Sequence, residues 1–397
     1  MITQKKLLLG IDWTNIMFRS LFMSSTFGNN SYKDVDELQS FICKFGQDLA
    51  YLFKIFCPDK VLIMTDGRNA WRKDLLPKDD AGAGYKANRE KDDRWDWDKI
   101  YEYADKLKDI MKSKGFDFCE VSRGEADDLL CMSKELVFEK HNDWNLILVS
   151  SDADIRQLAD FNKNNKQYCI VYNPVSLKGG IRRLFVTKDF FEWWSTEENE
   201  VNDIFFTNIN NDKNRLKTII ANASNKVKLE IINPNDIVLS KMFCGDNSDN
   251  IPSFYTWYNN KGKLARVTES KFKKLQEALS INSVEDLLVK ENLIKDSLEP
   301  IIKKDINDID IHKKLETQKL LVELKSDNFP DNIKGYKADI ELMISDDIKI
   351  IPKHFNIHEL FKDTEFEEFL QRKDNSEQKV FKDLDKYITK NNLTQLW

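Results

Sequence analysis

Three stretches of the chain run apolar without interruption and then stop at an acid: LLLGID at Asp12, VLIMTD at Asp66 and LILVSSD at Asp152. Unbroken rather than alternating hydrophobicity suits strands covered on both faces, as in a parallel sheet. Between them, apolar positions recur at helical spacing over 35–56, 98–113 and 126–140. The series predicts an α/β fold, a mainly parallel central sheet flanked by helices with right-handed crossovers. In such sheets ligand sites lie beyond the carboxyl ends of the strands, where all three acids fall. A single strand-ending Asp is ordinarily a turn or capping residue; three in register predict a site.

Elsewhere the pattern thins. Residues 67–97 carry Gly, Pro and many charges without a period, which predicts a long, partly mobile loop. Residues 186–235 are Asn-rich and interrupted by FFEWW, and read as an insertion near the sheet edge, with FFEWW packed onto the core rather than offered to a partner. A short helix (IVLSKMFC) then leads to GDNSDNIP, after which the chain is helical and charged. A boundary near 250 is expected, with a catalytic domain over 1–250 and a smaller helical C-terminal domain over 251–397.

Composition narrows the classes. The chain is 41% hydrophobic and 32% charged over 397 residues, enough for a sizeable core and against wholesale disorder. No apolar run approaches a membrane span, and the start lacks a signal-peptide pattern. The six cysteines show no CxxC or zinc-ligand spacing, so reduced, mostly buried thiols are expected in a cytoplasmic, monomeric protein that makes no membrane contact. His354 and His358 stand at i, i+4 with nothing to complete a ligand set, and read as surface residues.

The stretch GEADD crowds Glu125, Asp127 and Asp128 at the mouth of the 126–140 helix. Two like charges about 4 Å apart repel by roughly 4 kcal/mol at an effective dielectric near 20. A helix N-terminus favours an anion by only about 0.3–1 kcal/mol. Either these acids splay into water or a cation sits among them. SSDAD adds Asp152 and Asp154, GDNSDN adds Asp246 and Asp249, and with Asp12 and Asp66 the candidates number nine. No His or Cys accompanies them, so a hard cation is implied, Mg²⁺ with Mn²⁺ as a substitute. Mg²⁺ uses few direct carboxylates, and nine acids suggest two or more ions, the usual device for in-line attack at a phosphodiester. The crowding in GEADD is then expected to be resolved by metal.

GEADD, SSDADIRQL, GDNSDNIP and YKANR together resemble the 5′-nuclease superfamily (flap endonucleases and the 5′-nuclease domains of bacterial DNA polymerases). WRKD at 71–74, WDW at 95–97 and KLLVEL…NFPDNI at 319–333 are similar to its T-even phage ribonuclease H branch. The resemblance spans roughly residues 5–180 and 236–340. It implies a PIN/5′-nuclease-like fold and a Mg²⁺-dependent 5′→3′ exonuclease or flap endonuclease with ribonuclease H activity. The substrates would be DNA and RNA–DNA duplexes with 5′ ends or flaps, and the task RNA primer removal in phage DNA replication, in the host cytoplasm. It also implies Asp12, Asp66, Glu125, Asp127, Asp128, Asp152 and Asp154 as the main metal cluster, and Asp246 and Asp249 as the second-metal side. By the same resemblance Asp127 and Asp152 would be catalytic, and Lys86 and Arg89 of YKANR would form the basic pair of an arch loop over 67–97. Where much of the superfamily reads IPGIGPKTA, this chain reads IPSFYTWYNNKGKLARVTESKF, so the usual DNA clamp is altered.

Net charge is −6, which at first argues against a nucleic-acid partner. Without the nine site acids it becomes +3. Arg72, Lys73, Lys86, Arg89, Lys91 and Arg94 concentrate in the loop, and Lys261, Lys263, Arg266, Lys271, Lys273 and Lys274 form a second stretch. Two basic clusters flanking an acidic centre suit phosphate contacts along a duplex. Trp71, Trp95 and Trp97 suit either stacking on single-stranded bases or anchoring the loop. The tail NNLTQLW suits a cap on the small domain's own core or, less readily, a docking segment for a sliding clamp or single-stranded DNA-binding protein.

Two rival readings fit the residues less well. A haloacid-dehalogenase-like phosphatase needs DxD at the first strand, whereas this chain has Asp12-Trp13-Thr14. A non-catalytic, structure-specific DNA-binding relative would not need the complete acid set.

Overall fold

A computed structural model describes residues 5–26, 35–78, 84–89, 93, 95–175, 177, 181–201, 227–254, 256–258, 264–290, 292–294, 296–297, 311–345 and 360–367. Strand β1 (Lys6–Asp12) is the centre of the sheet, buried from Leu7 onward. It runs parallel to β2 (Lys60–Met64) on one side and β4 (Trp144–Val149) on the other, with β3 (Asp117–Cys119) outside β2. The order is β3-β2-β1-β4-β6-β7-β8, where β6 is Gln167–Asn173, β7 Arg182–Thr187 and β8 Val227–Ile232. The mainly parallel sheet expected from the unbroken runs is present. Departures come after β4: β5 (Asp160–Asn162) and β7 both pair antiparallel with β6. The β5–β6 link is only residues 163–166, too short for a crossover, so the chain must fold straight back.

Helices cover both faces. On one lie α1 (Trp13–Thr26), α2 (Val35–Phe56) and α4 (Trp97–Ser113), whose apolar residues share a core with Leu7, Leu9 and Ile11. On the other lies α5 (Ala126–Lys140), packed through Leu129, Leu130, Met132, Leu136 and Val137 against Leu8 and Leu62. FFEWW falls in α6 (Lys188–Val201), with Phe190 and Trp194 buried in the first core, as expected. The loop after β2 is less free than its composition suggests. It holds a helical turn, α3 (Arg72–Leu75), and buries Trp71 and Tyr85. Trp71 anchors the loop, its Nε1 donating to Asp128 at 3.0 Å. Trp95 and Trp97 pack with Phe22 and Phe18 of α1.

Past the expected boundary at 250 the described chain is largely helical but not packed apart. Helix α7 (Pro234–Cys244) shares a cluster with α8 (Glu269–Leu279), α9 (Val284–Val289) and α10 (Ile311–Val322). Phe329, Ile333, Ile340 and Ile344, from 329–345, instead join the core under α5, and Phe361 and Phe366 join the one beneath α4. The segment replacing the usual clamp contains a two-stranded antiparallel pair, Thr256–Tyr258 with Leu264–Arg266. Five of the six free cysteines are buried. No helix among the described residues is long and apolar enough to cross a membrane. Residues 202–226 of the insertion, Lys91, Arg94, Lys261, Lys263, His354, His358 and the tail NNLTQLW lie outside the described residues.

Candidate active site

The sheet brings the strand-end acids together. Asp12 stands level with Met64 at the end of β2, two residues short of Asp66, while its neighbour Ile11 pairs with Val149, three short of Asp152. Asp12 is held from two sides, accepting from the Asn15 amide at 3.0 Å and from Ser150 Oγ at 3.1 Å. Asn15 in turn clasps Ser151 through its side-chain amide, at 2.8 and 2.9 Å. Asp152 accepts from the Asp154 amide at 2.9 Å, a turn that fixes SSDAD just beyond β4.

Asp66 reaches α5. Its carboxylate accepts from the Ala126 amide at 2.9 Å, among the unsatisfied donors at that helix's start. Two glycines permit the approach. A Cβ on Gly67 would lie 2.1 Å from the Val121 carbonyl, and one on Gly124 would lie 2.4 Å from Val121 Cγ1.

GEADD separates into two environments. Glu125 and Asp128 point inward, 5% and 0% exposed. Arg72 lies between them, with nitrogens 2.8 Å from a carboxylate oxygen of each, and Asp128 also accepts from the Glu125 amide at 3.0 Å. Lys86 Nζ reaches Glu125 at 2.5 Å and the Tyr85 hydroxyl reaches it at 3.0 Å. Burial opposes charge on Glu125, yet Lys86 and Arg72 hold its carboxyl down at about 2. Asp127 alone faces the strand ends. Burial, then the charges of Asp152 and Asp12, push its carboxyl well above the usual range. Asp12 is pushed up to about 7 by burial and by Asp66.

One expectation is corrected here. Arg72 is 2% exposed and committed to two buried acids, so it is not a surface phosphate contact. Asp128 is wholly buried against Arg72 and Trp71, which makes it a structural partner of the loop. The crowding in GEADD is met first by the chain's own cations, Arg72 and Lys86.

YKANR docks on GDNSDNIP. Lys86 adopts a left-handed φ of 55°, uncommon for a residue with a side chain, and its amide donates to the Asp249 carbonyl at 2.8 Å. Arg89 meets the Asp249 carboxylate at 2.6 Å, and Asn88 donates to the Asn247 carbonyl at 2.8 Å. GDNSDNIP folds back on itself because Gly245 caps α7 at a φ of 74°, where a Cβ would come 2.5 Å from the Ile251 carbonyl. Asp246 is held by Lys241 and by Ser248. Lys241, which the sequence reading missed, also contacts Asp154. Its only sequence signal is a basic residue five positions before Asp246 in the mainly apolar stretch IVLSKMFC.

Of the expected phosphate contacts, Lys73, Arg266, Lys271, Lys273 and Lys274 are exposed. Arg266 donates to the Asn247 side chain at 2.6 Å, which ties the second basic stretch to GDNSDN. Lys86 is half-buried and Arg89 exposed.

The donor set left facing the strand ends is Asp12, Asp66, Asp127 and Asp152, with Asp154 beside them. These are all oxygen ligands, and the raised carboxyls mark a shortage of positive charge. That chemistry fits a hard divalent cation. Among the described residues no three acidic, His or Cys side chains are already gathered as a formed metal cage.

An open, doubly covered α/β sheet with an all-carboxylate site at its carboxyl edge defines the class. Residues 6–180 match the family model for the N-terminal, resolvase-like domain of 5′–3′ exonucleases. The chain therefore carries, over those residues, the N-terminal domain of that exonuclease family. No curated protein sequence matches the chain. Among solved structures it is similar to a lysine-to-alanine mutant of the T5 5′-exonuclease, with 16% identity, 85% of this chain and 99% of that one covered, and a TM-score of 0.47. A zinc-bound T5 5′-exonuclease gives 17% identity, coverage of 84% and 98%, and a TM-score of 0.49. A bacteriophage T5 flap endonuclease variant, in a pseudo-enzyme–product complex with DNA and metal ions, gives 15% identity, coverage of 92% and 100%, and a TM-score of 0.47.

Proposed function

We propose that the chain is a divalent-metal-dependent 5′→3′ nuclease, an exonuclease and flap endonuclease with ribonuclease H activity. It acts on 5′ ends or flaps of DNA and RNA–DNA duplexes. Its task would be removing RNA primers in phage DNA replication, as a monomer in the host cytoplasm. The observation that carries the reading is the convergence of Asp12, Asp66, Asp127 and Asp152 at one sheet edge, beside the docked Lys86 and Arg89.

The four open carboxylates, with Asp154, would hold Mg²⁺, or Mn²⁺ in its place. When bound, such ions supply an activated water and charge stabilisation at the leaving oxygen. Asn15 and Ser150 keep Asp12 oriented for that purpose. Lys86 and Arg89 contact the phosphate and stabilise the charge that grows on it, a role that raises the rate more than it raises affinity. The exposed Lys73, Arg266, Lys271, Lys273 and Lys274 hold the backbone away from the cleavage point. A sliding clamp and a single-stranded DNA-binding protein remain candidate partners through the C-terminal tail.

Digestion of a 5′-labelled RNA–DNA hybrid and of a matched DNA flap, each with Mg²⁺ and with EDTA, tests the reading. Cleavage of at least one with Mg²⁺ and of neither with EDTA is expected. Silence on both substrates with Mg²⁺ would leave a non-catalytic DNA-binding relative as the better description.

A further inference from the structure

We propose that Lys241 is a resident counter-cation for the second side of the site, and that a divalent ion entering between Asp154 and Asp246 must displace its ammonium. The inference rests on the metal-dependent reading above and goes beyond it by assigning this residue a role.

The geometry is a three-part junction. Lys241 projects from α7, one turn before Gly245 reverses the chain, and contacts a carboxylate oxygen of Asp246 and one of Asp154. Side-chain exposures are 17% for Lys241, 14% for Asp154 and 10% for Asp246, so little solvent screens the group. The other Asp246 oxygen is taken by the Ser248 amide and hydroxyl, at 2.7 and 2.6 Å. Asp154 belongs to SSDAD and Asp246 to GDNSDN, so one ammonium joins the two motifs that a second ion would bridge. Burial works against its charge, but these two carboxylates outweigh that cost.

Residue type separates this contact from the one at Arg72. A planar guanidinium fork at 3% exposure, shared by Glu125 and Asp128, is a fixed part of the core. A lysine is a point charge on a flexible four-carbon stem. With part of that stem at the surface, Lys241 can swing out and leave both carboxylates behind. A site open for only a fraction of the time shows an affinity lowered by that fraction. Ion binding in this chain is therefore stepwise, tighter at the strand-end acids, which no cation among the described residues pairs with, and weaker beside Lys241.

Calorimetric titration of the full chain with Mn²⁺, together with melting curves with and without the ion, tests this for wild type, Lys241→Met and Lys241→Arg. Lys241→Met is expected to strengthen the weaker binding step about tenfold. It should also melt lower than wild type without ion and recover most of that deficit in saturating Mn²⁺, where the ion replaces the ammonium. Lys241→Arg, which keeps a cation in place, should leave the weaker step weak. The proposal fails if Lys241→Met binds the second ion no better than wild type, or if its melting deficit persists undiminished in Mn²⁺. Either result would make Lys241 a structural tie only. If Lys241→Met does not fold, Lys241→Gln is measured in its place against the same criteria. Absence of any Mn²⁺ binding in all three proteins would instead overturn the metal-dependent reading itself, and this proposal with it.

Discussion

Two groups of acids stand side by side at the carboxyl edge of the sheet, and they are neutralised in opposite ways. At the strand ends, Asp12, Asp66, Asp127 and Asp152 face one another, and Asp12 and Asp127 hold protons far more tightly than ordinary carboxyls. On the loop side, Glu125, Asp128, Asp246 and Asp249 each have a cation from this chain: Arg72, Lys86, Lys241 or Arg89. Identical chemistry therefore has two meanings. Paired acids assemble the site, tying the loop after β2 to α5 and to GDNSDN. The other acids have no ion-pair partner among the described residues. An acid count cannot distinguish them, because pairing depends on which cation the fold delivers.

The most damaging way to break the comparison is to remove the cation shared by the paired side. Arg72→Ala leaves Asp128 buried without its cation and Glu125 with Lys86 alone, and breaking such an interaction costs about 3–5 kcal/mol. Urea unfolding should show a loss of that order, and a loss below about 1 kcal/mol would mean the two acids had rearranged or were never charged. The mirror-image change on the open side behaves differently. Asp152→Asn should cut single-turnover cleavage by at least about a hundredfold. Yet it should melt no lower than wild type in EDTA, since it removes one of several mutually repelling acids. Asp249→Asn, which strips Arg89 of its partner, should melt lower than wild type and be milder in its effect on cleavage. If both Asn variants lose stability alike, the distinction between open and paired acids disappears.

Lys86 belongs to both groups, since it braces Glu125 and lies beside the open acids. Lys86→Ala should slow single-turnover cleavage by about a hundredfold, with affinity for DNA in Ca²⁺ changed only a few-fold. Lys73→Ala, exposed and in the same loop, should cleave nearly normally. A Lys86→Ala variant that weakens binding as much as it slows cleavage would be one more phosphate contact.

The smallest effect is a pH signature. Burial and the charge of Asp66 push the Asp12 carboxyl of the folded state up to about 7 from an ordinary 3.8. Between those values the native state holds a proton that the unfolded chain has released, so this group makes stability fall as pH rises. Glu125 does the reverse: its carboxyl is depressed from 4.5 to about 2, so its contribution is present above about 4.5 and lost as pH falls toward 2. In EDTA, melting temperature should therefore drop from pH 4.5 to pH 7.5, and Asp12→Asn should flatten that drop. Saturating Mn²⁺ should flatten it as well. A slope unchanged in Asp12→Asn would show that Asp12 is already ionised in the metal-free protein.

The sequence by itself determined the parallel part of the sheet, because strands buried on both faces must be apolar throughout. It also marked the main helices: 35–56 and 126–140 appear at those bounds and 98–113 extends by one residue to Trp97, since 3.6-residue periodicity survives any tertiary context. The strand-end position of Asp12, Asp66 and Asp152 was legible for the same reason. Only the tertiary structure decided the antiparallel pairings after β4, the first of which turns on a four-residue link rather than on hydrophobicity. Only it separated Asp127 from Asp128, adjacent residues that a helix turns roughly 100° apart, one toward the strand ends and the other onto Arg72. And only it revealed Lys241, because a charge on an apolar helix says nothing about which carboxylates, some 90 residues upstream at Asp154, the fold will bring within its reach.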